Sequence, residues 1–255
     1  MSLIFIIGAE PFVSSLARLC AAGSHHVRAL TTADFLANPS PAQEHEVIIE
    51  AETASTRLKK ELLQRLRIGR PEGILLTCAL NASATVAAGW THAPERVVGF
   101  GVLPPVPTQG TVELARGLQT SEAAFARAVE FWESLGQQTA RVADGVGLVR
   151  ARVVCAMINE AISAVQEGVA APADIDLAMK LGMNYPRGPL EWGDEIGLDT
   201  VLAVMMALQE EWGEDRYRPA PLLRRMVAAG RLGKKSGAGF YPYPSAGAPH
   251  SAPMA

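Results

Sequence analysis

Up to about residue 144 the chain alternates short apolar, β-branched runs with helix-patterned segments, and beyond that point the runs vanish. Leu3–Ile7, Val27–Leu30, Val47–Glu50, Gly73–Thr77 and Arg96–Phe100 are runs of four or five residues. Between or after them, Ser14–Ala22, Arg57–Leu66 and Thr120–Gly136 place apolar residues at helical spacing. Strands that are apolar throughout rather than alternating are buried on both faces, and parallel neighbours need a crossover of a dozen or more residues. The pattern therefore predicts a parallel sheet covered by helices. After Asp144-Gly-Val-Gly147 the segments 148–167, 172–181, 198–212 and 220–229 read as helices, with Pro172 and Pro219 near first turns, where proline is tolerated. The expected fold class is thus α/β plus all-α. A shortened Rossmann-like domain (1–144) is followed by a helical domain (145–243) and a flexible, low-complexity tail (244–255).

Composition narrows the function. With 23 Lys+Arg against 26 Asp+Glu, a net charge of −3 provides no broad field for nucleic acid or an anionic membrane. The longest uncharged apolar runs fall far below the roughly 20 residues of a membrane span, and no basic region precedes the first of them. Cys20, Cys78 and Cys155 are scattered, and the histidines show no metal-ligand spacing. A cytosolic protein with buried thiols, and with neither metal site nor disulfide, is expected.

Six ordered strings in the helical half resemble the C-terminal domain of the 3-hydroxyacyl-CoA dehydrogenase family. They are Asn159-Glu-Ala161, Ala173–Gly182, Asn184-Tyr-Pro-Arg-Gly-Pro189, Ile196-Gly-Leu-Asp199, Tyr217-Arg-Pro219 and Gly230–Tyr241. Glu50-Ala51, Leu58–Leu62 and the stretch from Arg96 through Pro105-Val-Pro107 to Val112-Glu113 continue the resemblance into the first half. The wording around Asn184–Trp192 looks most like the second repeat of the double-length enzymes of phenylacetate degradation.

The resemblance implies NAD, a base for the 3-hydroxyl proton and donors for the thioester. The dinucleotide turn should read Gly-x-Gly-x-x-Gly, yet here Gly8-Ala9-Glu10-Pro11-Phe12-Val13 keeps the first glycine alone. Gly8, Ala9, Glu10 and Thr31 are the implied cofactor positions, with Thr31 standing where an acid would take the ribose hydroxyls and Asp34 a nearby substitute. Gly101 occupies the position of the basic histidine, while Glu113, its orienting partner, is present. Asn81 and Ala151 stand at two further polar positions, and Ala151 has no donor. Only sixteen residues separate the second and third strand runs, which truncates the helical pair that shapes the CoA cleft.

From these losses we expect weak or absent NAD binding and impaired catalysis, with the chain acting as a dimer partner or scaffold. A homodimer or heterodimer through the helical domain is expected, because Leu198, Val201, Leu202, Met205, Met206 and Leu208 form a broad apolar face. The alternatives are active NAD-dependent oxidation of 3-hydroxyacyl-CoA with non-standard residues, and an acyl-CoA-binding module near Asn184–Arg187.

Overall fold

The computed structural model describes residues 2–39 and 44–243, so the expected tail at 244–255 lies outside them. Seven strands form one sheet: β1 Leu3–Gly8, β2 His26–Thr31, β3 Val47–Ala51, β4 Ile74–Cys78, β5 Val97–Gly101, β6 Thr111–Ala115 and β7 Gln138–Val142. Their order is β2-β1-β3-β4-β5-β6-β7. All neighbours are parallel except β5 and β6. The five strands predicted from the sequence are present. Ile4 to Ile7 and Ile48 to Ile49 have no exposed surface, as strands covered on both faces require.

The crossovers carry α1 Phe12–Ala22, α2 Thr32–Ala37, α3 Thr56–Arg65 and α4 Ala84–Ala88, and α5 Glu122–Ser134 precedes β7. Ser55, Ser83 and Ser121 cap α3, α4 and α5, each side chain accepting from the backbone N–H three residues on. Strand order reverses at β1, where β2 leaves on one side and β3 on the other. This switch point opens a crevice beyond the carboxyl ends of β1 and β3, the place where open α/β sheets bind ligands.

The remaining helices are α6 Arg150–Gln166, α7 Pro172–Met183, α8 Pro189–Ile196, α9 Leu198–Trp212 and α10 Pro221–Ala228. Contacts divide the chain into a sheet unit (1–156 with 203–218) and a helical unit (157–202 with 219–255). In the helical unit two buried carboxylates act as caps. Asp176 accepts from the Leu190 and Glu191 N–H groups at the start of α8, at 2.8 and 2.9 Å, and from the Tyr241 hydroxyl at 2.7 Å. Asp194, fully buried, accepts from the Phe240 and Tyr241 N–H groups and the Tyr243 hydroxyl, each at 3.0 Å.

The apolar face of α9 behaves differently from expectation. Leu198, Val201, Met205 and Leu208 are already fully buried within the chain, leaving Met206 as its exposed member. Exposed apolar residues lie on α7, where Leu177 and Leu181, one turn apart, are 51 and 78% exposed and the last residue, Met183, is 59% exposed.

Candidate active site

The crevice at the end of β1 is lined by backbone packed too tightly for side chains. A Cβ on Gly8 would lie 2.3 Å from the carbonyl carbon of Ala51, so glycine is required by the approach of β1 to β3 whether or not a ligand binds. The chain then turns through Ala9 and Glu10 into α1. Glu10 is exposed, and its carboxylate accepts from the N–H and hydroxyl of Ser14. Across the crevice, Thr31 caps α2 by accepting from the Asp34 N–H, and its hydroxyl donates to the Asp34 carboxylate at 2.7 Å. Thr31 and Asp34 are thereby joined into one polar group at the end of β2.

A buried polar network forms the floor. Glu50 and Lys59, both without exposed surface, pair at 2.8 Å. The Lys59 ammonium also donates to the Cys78 carbonyl, and the Thr77 hydroxyl and Glu52 N–H donate to Glu50. Glu52 in turn accepts from the Thr32 hydroxyl and from the Ala54 and Ser55 N–H groups. These residues ground α3, β3 and β4 on one another. Sequence reasoning registered the Glu50-Ala51 and Leu58–Leu62 strings without assigning them a role. A charged residue closing an apolar strand, followed nine residues later by a lysine on the apolar face of a helix, was the available signal.

Asn81 belongs to this floor, 2% exposed. Its side-chain N–H donates to the Glu52 carbonyl at 3.2 Å, which fixes the amide and leaves Oδ1 buried without a partner. An orphaned buried acceptor costs about 1–3 kcal/mol, which a bound donor would recover. That atom, the switch-point crevice and the Thr31–Asp34 group fit a dinucleotide, whose amide and hydroxyl groups are donors. Glu10 is the element that does not match a pyrophosphate.

The second constellation sits where β5 meets β6. Gly101 pairs with Glu113 across these antiparallel strands. Glu113 is 6% exposed and receives the first amides of α6, Val149 N–H at 3.3 Å and Arg150 N–H at 2.9 Å. Burial pushes its carboxyl above the usual carboxylate range, and the two amides and the Arg150 charge oppose that shift only in part. Gly147 and Leu148 both adopt positive φ, +73° and +47°, as the turn delivers α6 onto Glu113. Such a conformation costs free energy for leucine and places its side chain against Gly101. A Cβ on Gly101 would lie 3.1 Å from Glu113 Oε2 and 2.8 Å from Leu148 Cδ1. A carboxylate and a leucine methyl thus border the place of a missing side chain.

The structure brings Gly101 and Glu113 together, and Gly8, Ala9 and Glu10 share the β1–α1 turn. Ala151, 1% exposed in the first turn of α6, contributes a methyl group and no donor. In the helical unit Asn184 ends α7 in the left-handed region and Arg187 pairs with Glu195 at 2.8 Å. Among the described residues no cluster of His, Cys, Asp and Glu could hold a metal, and no helix is long and apolar enough to cross a membrane.

A doubly wound sheet with its switch point at β1 is an architecture that nucleotide-binding α/β proteins share. Comparison with known proteins narrows the class. Residues 11–145 match the family model described as the NAD binding domain of 3-hydroxyacyl-CoA dehydrogenase, and 147–243 match that of its C-terminal domain. The chain belongs to the 3-hydroxyacyl-CoA dehydrogenase family. A probable 3-hydroxybutyryl-CoA dehydrogenase of Bacillus subtilis is 45% identical over 203 residues, 79% of this chain and 71% of the relative. A 3-hydroxybutyryl-CoA dehydrogenase of Mycobacterium tuberculosis is 37% identical over 243 residues, 92% of this chain and 85% of its own. The crystal structure of (S)-3-hydroxybutyryl-CoA dehydrogenase from Ralstonia eutropha superposes with a TM-score of 0.77 at 34% identity, covering 95% of this chain and 99% of that one.

These relatives correct the reading of an impaired dimer partner or scaffold, since chains this similar over most of their length are named as dehydrogenases. From the sequence alone Glu113 is only the orienting partner of the lost histidine; in the structure that carboxylate lies buried beside Gly101, its proton affinity raised by desolvation. The family match supports NAD use and lends no support to weak or absent binding. Nor do the relatives' names support the finer likeness to phenylacetate-degradation enzymes.

Proposed function

We propose that the chain is an active dehydrogenase that oxidises the 3-hydroxyl of a 3-hydroxyacyl-CoA to the 3-oxo group, with Glu113 in place of the missing histidine as proton acceptor. The observation that carries this reading is the position of Glu113, buried beside Gly101 with its proton affinity raised by desolvation, where the Leu148 side chain fills the place a Cβ on Gly101 would take. NAD, when bound, supplies the acceptor for the hydride that leaves C3. The hydroxyl proton passes to the Glu113 carboxylate, directly or through one water, and the C–O bond becomes the ketone. The Val149 and Arg150 N–H groups hold the carboxylate still, and Leu148 excludes bulk water from one side. Thr31, Asp34 and Asn81 are the groups that would hold the cofactor's hydroxyl and amide donors.

The relatives' names favour a four-carbon substrate, and the short β2–β3 connection favours a small CoA contact surface. Assembly through the helical unit belongs to the same proposal, with the α7 face carrying Leu177 and Leu181 as the contact face. Formation of NADH at 340 nm with 3-hydroxybutyryl-CoA tests the activity. Turnover within an order of magnitude or two of the enzyme median of about 10 s⁻¹ is expected, and a rate no greater than that of Glu113→Gln would refute it.

A further inference from the structure

Three backbone donors of the β1–α1 turn are taken up by the protein itself. The Ala9 N–H donates to the Ala51 carbonyl, and those of Phe12 and Val13 donate to the Ala9 carbonyl, all at 3.1 Å. The Ser14 N–H and hydroxyl donate to the two oxygens of Glu10, at 3.3 and 2.9 Å. A carboxylate therefore sits at the positive end of α1, an eleven-residue helix, where a dinucleotide-binding turn would direct its amides at a pyrophosphate. Independently, beyond the neighbouring strand end, the Oδ1 of Asn81 is buried without a partner, its amide fixed on the Glu52 carbonyl just past β3.

Two anions cannot share one helix terminus without repulsion, and Coulomb energies at close range near a protein surface are of the order of several kcal/mol. Glu10 is exposed at the surface, so its side chain can rotate away without opening the core. We infer that Glu10 is an internal anion that competes with the cofactor's pyrophosphate for the start of α1 and sets cofactor affinity. The inference rests on the NAD reading above and adds to it a residue that determines affinity. Displacement of Glu10 by the pyrophosphate frees the Ser14 N–H and hydroxyl, which become the donors the phosphates take. The competition acts on phosphate-bearing ligands alone, so a nucleoside is insensitive to it.

Calorimetry with NAD, ADP-ribose and adenosine on the full chain tests this. Relative to wild type, Glu10→Ala should bind NAD and ADP-ribose at least tenfold more tightly, a change of about 1.4 kcal/mol. Glu10→Gln, which removes the charge and keeps the reach to Ser14, should give a smaller gain. The double variant Glu10→Ala/Ser14→Ala should lose part of the gain, and adenosine affinity should not move. Equal NAD affinity in Glu10→Ala and wild type would overturn the role of Glu10 while leaving the NAD reading intact. A matching gain for adenosine would overturn competition between anions. Absence of NAD binding by both proteins at millimolar concentration would overturn the inference and the NAD reading together.

Discussion

At the scale of single residues, the balance around Glu113 decides how the site responds to pH. Burial raises its proton affinity, and two amides with the Arg150 charge recover part of the shift. A base works in its deprotonated form, so activity should fall as pH drops through a value above the ordinary carboxylate range. Glu113→Gln, which keeps volume and one acceptor for the α6 amides, should lower kcat by about 10²–10⁴-fold and abolish that acidic limb. A retained limb in the variant would assign it to another group. Stability follows the opposite sign. A carboxyl raised in the folded state favours folding below its unfolded pKa, and that contribution is lost as pH rises through the folded value. Glu113 and Gly101 were legible as positions in the sequence. Their mutual placement, and the pair of amides delivered by the turn at Gly147-Leu148, were not, because backbone groups carry no letter.

At the scale of elements, sequence patterning recovered strands that are apolar throughout and missed those that are not. β6, Thr-Val-Glu-Leu-Ala, buries Glu113 in an otherwise apolar strand, and β7, Gln-Thr-Ala-Arg-Val, is an edge strand half open to solvent, so neither shows a continuous apolar run. The short helix α8 was missed because its start is fixed by Asp176 from α7, a side chain fourteen residues earlier. Asp194 shows the same long-range logic. It satisfies the Phe240 and Tyr241 amides, and a Cβ on Gly239 would lie 2.0 Å from its Oδ1, so the segment folds around the carboxylate. Asp194→Ala leaves two amides and a tyrosine hydroxyl without an acceptor. At about 1–3 kcal/mol for each group left unpaired, a loss of about 3 kcal/mol or more is expected in the helical unit. Hydrogen exchange of the Phe240 and Tyr241 amides should accelerate correspondingly, and unchanged protection would contradict the cap.

For the whole molecule, the resemblance of the helical half was strong in sequence, whereas which apolar residues stay exposed was not legible. An apolar helix reads the same whether its own chain or a second one covers it. α9 proves to be covered at Met205, and α7 is left with Leu181 78% exposed. Met205→Asp should therefore unfold the chain, since a buried unpaired charge costs several kcal/mol. Leu181→Asp should leave circular dichroism and melting nearly unchanged while converting a dimer to a monomer in sedimentation. A wild-type monomer at tens of micromolar, or a dimeric Leu181→Asp variant, would move the contact elsewhere.

The distribution of sulfur gives the molecule a chemical clock. Cys20, Cys78 and Cys155 are all buried with their thiols pushed up to about 12, and all lie in the sheet unit. At neutral pH burial holds these thiols protonated, whereas the thiolate is the reactive form. Alkylation should then wait on opening of the sheet unit, so labelling kinetics time its excursions and should remain silent when the helical unit alone comes apart.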